Sequence, residues 1–206
     1  MRTILCYGDS NTYGSNPIDC TRYPRSKRWT GILQECLGRG FHVIEEGLGG
    51  RTTVWDDPIE EHKNGKTYLW PCLASHAPID LVVLMLGTND LKQRFSVSAQ
   101  DIAYGAGKLV EIIRKSGAGV DGKSPEVLLV CPPKIEFLND MFSAMFEGAM
   151  EKSRKLDFHF SQVAHLYDCH YLDSSKVVKL QDGDGLHMDE GNHEKLAKAI
   201  CGLIAR

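Results

Sequence analysis

The chain has 206 residues, enough to bury a substantial core and most economically folded as one domain over 1–206. Its 42% hydrophobic and 25% charged content is that of an ordinary globular protein and excludes disorder. A formal net charge of −3 carries no basic footprint, so neither a nucleic acid nor an anionic membrane surface is an expected partner.

From the amino end, MRTILCYGDS enters a strand-like run at once, over Thr3–Tyr7. It lacks the longer apolar stretch and small-residue cleavage site of a secretory signal, so the expected location is the cytoplasm. Asn11–Lys27 reads as a loop. Trp29, Ile32, Leu33, Cys36 and Leu37 then follow an i, i+3, i+4 pattern ended by Gly38, which predicts a helix. Phe41–Glu45 and Asp80–Leu86 are the next two strands. Ser98–Lys115 carries Ile102, Leu109, Ile112 and Ile113 at helical spacing, with Ser98 and Asp101 suited to cap its start. Glu126–Cys131 is a fourth strand, followed by a loop over Pro132–Asp140. Met141–Phe160 reads as one helix, His165–Tyr167 as a weaker fifth strand, and Glu190–Ala205 as the last helix.

Strands alternating with helices imply a parallel sheet covered on both faces, and the unbroken apolar run LVVLML suits a strand buried on both sides. No apolar run nears the ~20 residues that span a bilayer. The seven cysteines, at 6, 20, 36, 72, 131, 169 and 201, include no C-x-x-C pair. They are expected as buried free thiols rather than as disulfides or a zinc site.

Three short segments carry candidate chemistry. Gly8-Asp9-Ser10-Asn11-Thr12 puts a serine just past the first strand, at the sheet's carboxyl edge. Taken alone it reads more readily as a helix cap, since caps of this kind are common. Gly87-Thr88-Asn89-Asp90 follows the third strand and offers an amide donor for an oxyanion, although such residues also make plain turns. Asp184-Gly185-Leu186-His187 lets a carboxylate reach an imidazole three residues on, while a solvated surface turn would look the same. Together they supply a nucleophile in Ser10, a donor in Asn89 and a base with its orienting acid in His187 and Asp184. Those are the parts that serine acyl transfer requires. Asp9 adjoins Ser10 on a turn where neighbours point apart, so its expected role is structural.

With these blocks in place, the chain resembles the SGNH (GDSL-type) hydrolase superfamily. The strings ILCYGDS, RWTGIL, VIEEGL…RTT, LMLGTND and FEG, in this order, are similar to its arylesterase/acyltransferase branch over nearly the whole length. The resemblance implies a three-layer α/β/α sandwich, flavodoxin-like, around a five-stranded parallel sheet. It also implies hydrolysis of small-molecule acyl esters with short acyl chains, without metal or organic cofactor, by a homo-oligomer of two to eight subunits. The oxyanion would be received by the N–H of Ser10, the N–H of Gly50 (or its neighbour Gly49) and the amide of Asn89. Asn11, Tyr13 and Arg51 are candidates for contacting substrate, with packing as the alternative for Tyr13 and tying down its loop as the alternative for Arg51.

Two residues depart from the pattern. Asn11 stands where the GDSL signature has leucine, and Ser15 where acyltransferases of the branch carry tryptophan. A small residue at 15 should widen and wet the acyl channel, favouring hydrolysis over transfer to alcohols or peroxide. Trp29 and Trp70 are expected in the core or at a subunit contact, and His193 at the surface. A dinucleotide site after the second strand is disfavoured because its third glycine would fall on Thr52. The same fold could serve as a binding module, a sugar deacetylase, a thioesterase or a lysophospholipase.

Overall fold

The computed structural model describes residues 1–205. Five parallel strands, β1 (Arg2–Gly8), β2 (Phe41–Gly47), β3 (Leu81–Met85), β4 (Glu126–Cys131) and β5 (His170–Asp173), pair in the order β2-β1-β3-β4-β5. The α-helices among the described residues are α1 (Ser10–Tyr13), α2 (Trp29–Leu37), α3 (Gly65–His76), α4 (Ala99–Lys115), α5 (Asp140–Ser143), α6 (Ala149–Ser153), α7 (Leu156–Leu166) and α8 (Glu190–Ile204). The result is a three-layer α/β/α sandwich.

The layers follow from strand alternation. Ile4 and Cys6 of β1 with Leu81, Val83 and Met85 of β3 face Trp29 and Leu33 of α2 and Leu196 and Ile200 of α8. The intervening Leu5, Tyr7, Val82 and Leu84 face Leu69 and Leu73 of α3, Ile102 and Leu109 of α4, and Phe160 of α7. A continuous apolar run thus serves two cores at once, as a parallel strand covered on both faces must. Helix α4 opens on the expected capping box, with Ser98 and Asp101 each accepting from the other's backbone N–H.

Several expectations need correction. The stretch expected as one helix over Met141–Phe160 divides into α5, α6 and the start of α7, with Gly148 at φ +76° capping the start of α6. His165–Tyr167 is the end of α7 and its cap, and the fifth strand lies beyond it at His170–Asp173, paired to β4. Three residues cannot establish a period, and the helix takes them. Trp29 is fully buried, whereas Trp70 on α3 is 52% exposed and so is no core residue. Cys36 and Cys201 form a disulfide rather than two free thiols, because α2 and α8 lie side by side and bring their Cα atoms to 6.5 Å across 165 residues of chain. Cys6, Cys72 and Cys131 are buried free thiols. Among the described residues, no helix is long and apolar enough to cross a membrane.

Candidate active site

Because all strands run the same way, the segments after Gly8, Gly47 and Met85 emerge together at one edge of the sheet. At the end of β1, Asp9 caps α1 by accepting the Asn11 N–H at 2.9 Å, which makes Ser10 the first residue of the helix. Its N–H is therefore among those a helix leaves unpaired. Burial pushes the Asp9 carboxyl up to about 6, against opposing pulls from the Asn11 N–H, His187 and Arg51.

The histidine arrives from the other end of the chain. Asp184 Oδ1 accepts the N–H groups of Leu186 and His187, both at 2.8 Å, while its Oδ2 accepts from His187 Nδ1 at 2.5 Å. Burial opposes ionisation of Asp184, but the bonds from His187 and from the two backbone N–H groups prevail and hold its carboxyl below the usual range. Only glycine fits between them. Gly185 has φ +80°, and a Cβ there would come within 2.1 Å of the Phe137 carbonyl oxygen. With Nδ1–H directed at a carboxylate, Nε2 is the acceptor, and it lies 2.9 Å from Ser10 Oγ. The imidazole is thus placed to take the serine's proton while the carboxylate balances the resulting charge.

The glycine block and the asparagine converge on the same spot. The turn after β2 closes with Arg51 N donating to Leu48 O at 3.1 Å, and Gly50 adopts φ +80° inside it. That leaves the Gly50 N–H outside the turn's own bond. Asn89 Nδ2 donates to Arg51 O at 3.1 Å, which orients the amide and leaves its second hydrogen available. Asp90 ties the two blocks together through the N–H of Thr53, at 3.0 and 3.1 Å, and the Thr53 hydroxyl. Burial pushes Asp90 up to about 6 despite those bonds.

Ser10, Ser15, Gly49, Gly50, Asn89 and His187 line one cleft of about 210 Å³. Phe142, Met145, Phe146 and Leu186 form an apolar wall, with Phe142 edge-on to the His187 ring at 6.0 Å between centroids. Glu60 and Lys92 supply a charged wall. None of these wall residues was legible as such, since segments some 50 to 180 positions beyond Ser10 bring them there and no local pattern marks them.

The three residues expected to contact substrate lie elsewhere. Asn11 is buried, its amide donating to Leu186 O at 3.0 Å and accepting from Met188 N at 2.9 Å. Arg51 is buried as well, donating to the carbonyls of Gly8 (2.8 Å) and Glu46, with its guanidinium 4.2 Å over the Tyr7 ring. Both hold the site together from beneath. Tyr13 is outside the cleft lining, under the guanidinium of Arg22 at 4.2 Å. His193, expected at the surface, is fully buried on the inner face of α8, where Nδ1 accepts from Trp29 N at 3.3 Å.

A larger groove of about 610 Å³ runs past Glu46, Arg51 and Tyr68, and it includes neither Ser10 nor His187. Among the described residues, one group could bring three ligand atoms to a metal ion, namely Glu46, Cys72 and His76, whose atoms lie within 4.8 Å of one another. Glu46 and His76 already pair at 2.8 Å, and burial raises the Cys72 thiol to about 12, so the group is self-satisfied. It does not line the Ser10 cleft.

The profile of the GDSL-like Lipase/Acylhydrolase family matches residues 6–195. The chain belongs to that family. This GDSL-like hydrolase is accordingly a carboxylic ester hydrolase. It is similar to the crystal structure of a carbohydrate acetylesterase from Sinorhizobium meliloti, with 40% identity, TM-score 0.96, and 100% and 99% of the two chains covered. It is also similar to the native aryl esterase of M. smegmatis, with 39% identity, TM-score 0.96 and the same coverage. A second carbohydrate acetylesterase family member from Sinorhizobium meliloti matches at 36% identity and TM-score 0.93, covering 99% and 97%. Among curated proteins no match was found.

Proposed function

We propose that this GDSL-like hydrolase cleaves short-chain, acetyl-type esters through an acyl-enzyme on Ser10. The observation that carries the reading is the unbroken chain from Ser10 Oγ to His187 Nε2 (2.9 Å) and from His187 Nδ1 to Asp184 (2.5 Å), opening into one small cleft. Ser10 attacks the ester carbonyl as His187 takes its proton, and Asp184 stabilises the imidazolium. The N–H groups of Ser10 and Gly50 and the Asn89 amide receive the tetrahedral oxyanion. Losing one such donor typically costs ~3–4 kcal/mol of transition-state stabilisation. His187 then protonates the leaving alcohol, and a water it deprotonates releases the acid.

A cleft of about 210 Å³ favours an acetyl-sized acyl group over the long chains of thioester or lysophospholipid substrates. Removal of acetyl groups from sugars is the second reading, favoured by the charged wall and by the carbohydrate acetylesterases among its neighbours. Ser15 on the cleft wall leaves room for water, which supports hydrolysis as the principal outcome and acyl transfer as a side reaction. Homo-oligomer formation is supported by Met141, Met145 and Met150, which are 68%, 37% and 42% exposed, Met145 also lining the cleft.

The test is hydrolysis of p-nitrophenyl acetate, butyrate and octanoate by wild type beside a folded Ser10→Ala variant. Turnover that falls with acyl length and disappears in the variant is the expected result. Equal rates from the two proteins would overturn the reading.

A further inference from the structure

The charged wall of the cleft is a built feature. Lys92, its side chain 3% exposed, directs Nζ to Glu60 Oε1 at 2.8 Å and to Asp57 Oδ2 at 3.4 Å. Arg94 repeats the arrangement, with Nη2 on Glu60 Oε1 at 3.0 Å and Nε on Asp57 Oδ2 at 3.4 Å. Asp57 in turn anchors the loop by accepting the N–H groups of Ile59 (2.9 Å) and Glu60 (3.1 Å). Both cations thus converge on one oxygen of Glu60, and the other, Oε2, has no hydrogen-bond partner among the described residues. That free oxygen sits against the oxyanion turn: a Cβ on Gly50 would lie 2.7 Å from it.

A carboxylate beside a developing oxyanion would ordinarily raise the barrier by repulsion. Here two carboxylates and two cations balance within the network, so Glu60 can stand near Gly50 as a local acceptor without a net field. An acceptor desolvated when substrate fills the cleft costs free energy unless a donor meets it. The acyl half of an acetyl ester has no donor, and the apolar wall of Phe142, Met145 and Phe146 suits its methyl group. The alcohol half remains.

We infer that Glu60 is a specificity-determining residue whose Oε2 accepts a hydrogen bond from a free hydroxyl on the alcohol half, adjacent to the ester oxygen. The substrate class is thereby a partially acylated polyol, such as a sugar or glycerol ester with a free vicinal hydroxyl. Lys92 and Arg94 are positioning residues that act through Glu60. The inference rests on the proposed esterase reaction at Ser10 and names the alcohol that the site selects.

The experiment compares kcat/KM for 2-hydroxyethyl acetate and 2-methoxyethyl acetate, in the second of which a methyl group replaces the hydrogen that the neighbouring oxygen could donate. Wild type should prefer the hydroxylated ester by about tenfold or more, the selectivity that a hydrogen bond to a charged group supplies. The ratio should fall towards one in Glu60→Gln and persist in Glu61→Gln, whose side chain is 87% exposed on the same loop. A ratio near one in wild type, or a high ratio surviving in Glu60→Gln, would sink the inference. Should Glu60→Gln fail to fold, as judged by circular dichroism, Glu60→Asp reads the same ratio with the oxygen withdrawn by about 1.5 Å. p-Nitrophenyl acetate in the same assay keeps the two questions apart. If wild type fails to turn it over, or Ser10→Ala retains it, the esterase reading is at fault rather than Glu60.

Discussion

Asn11 brackets His187. Its amide donates to the carbonyl of Leu186 at 3.0 Å and accepts the N–H of Met188 at 2.9 Å, so the residues on either side of the histidine are bonded to the one after the serine. A side chain 1% exposed thus fastens two segments 175 positions apart and fixes the height of the imidazole above Ser10 Oγ. The position is the one that holds leucine in the family signature. In this chain an amide takes over a task that an apolar residue could perform only by packing.

Replacing Asn11 by leucine should therefore weaken both fold and site. The Leu186 carbonyl and the Met188 N–H would lose their partners inside the protein, at a cost of ~2–4 kcal/mol in unfolding free energy. Asn11 is buried and outside the cleft lining, so kcat should fall by about tenfold or more while KM changes little. Urea unfolding and steady-state kinetics on p-nitrophenyl acetate check the two parts separately.

Asp184 orients His187 through its side chain and also shapes the turn that carries it, through the N–H groups of Leu186 and His187. In Asp184→Asn the amide oxygen can still accept from the backbone, but the amide nitrogen would face Nδ1 and favour the wrong tautomer. The expected result is a loss of kcat on the order of 10⁴-fold with a modest loss of stability. A variant within tenfold of wild type would remove Asp184 from the mechanism.

What was legible in the chain depended on whether the pattern was local. The LVVLML run, the Ser98–Asp101 capping box and the Asp184–His187 spacing each depend on contacts a few residues apart, and each has its expected local form. Ser10 and Asn89 came together because parallel strands must deliver their carboxyl ends to one edge. His193 differs from its expected surface position because it sits on a helix whose buried side is set by the neighbouring element, while Trp70, outside the core, keeps only its alternative of a subunit contact. Trp29 of α2 covers His193, whereas Trp70 stays about half exposed. Glu60 reaches the cleft on an irregular loop and Phe142 on the four-residue α5, both too short of regular structure for a period to be read.

The buried His193 has a consequence for acid stability. Burial, helped by the positive charge of Arg28 and by His187, depresses its pKa to about 4. A folded-state pKa below the unfolded value of about 6.5 means that the unfolded chain binds the extra proton between pH 6.5 and 4. The histidine's contribution to stability is thus present near neutrality and is lost as pH falls through that window. His193→Asn, whose side-chain oxygen can still accept from Trp29 N, should lack this loss. The stability gap between wild type and variant should narrow by ~2–3 kcal/mol from pH 7 to pH 4. A constant gap in urea unfolding would show that His193 takes up its proton equally in the folded and unfolded chain.

Asp9 bends the same curve in the opposite direction. Burial raises its carboxyl to about 6, so between about pH 4 and pH 6 the folded protein holds a proton that the unfolded chain has released. Its contribution is fully present below pH 4 and is lost as pH rises through 6. In Asp9→Asn the amide oxygen can still accept the Asn11 N–H that caps α1, while the group no longer ionises. The variant should gain ~1–3 kcal/mol over wild type between pH 4 and pH 7. The reading of Asp9 as a structural residue requires that this variant also keep its acylation step, measured as the p-nitrophenol burst in a single turnover. A folded Asp9→Asn protein with no burst would place Asp9 in the chemistry, and the triad would then need a fourth member.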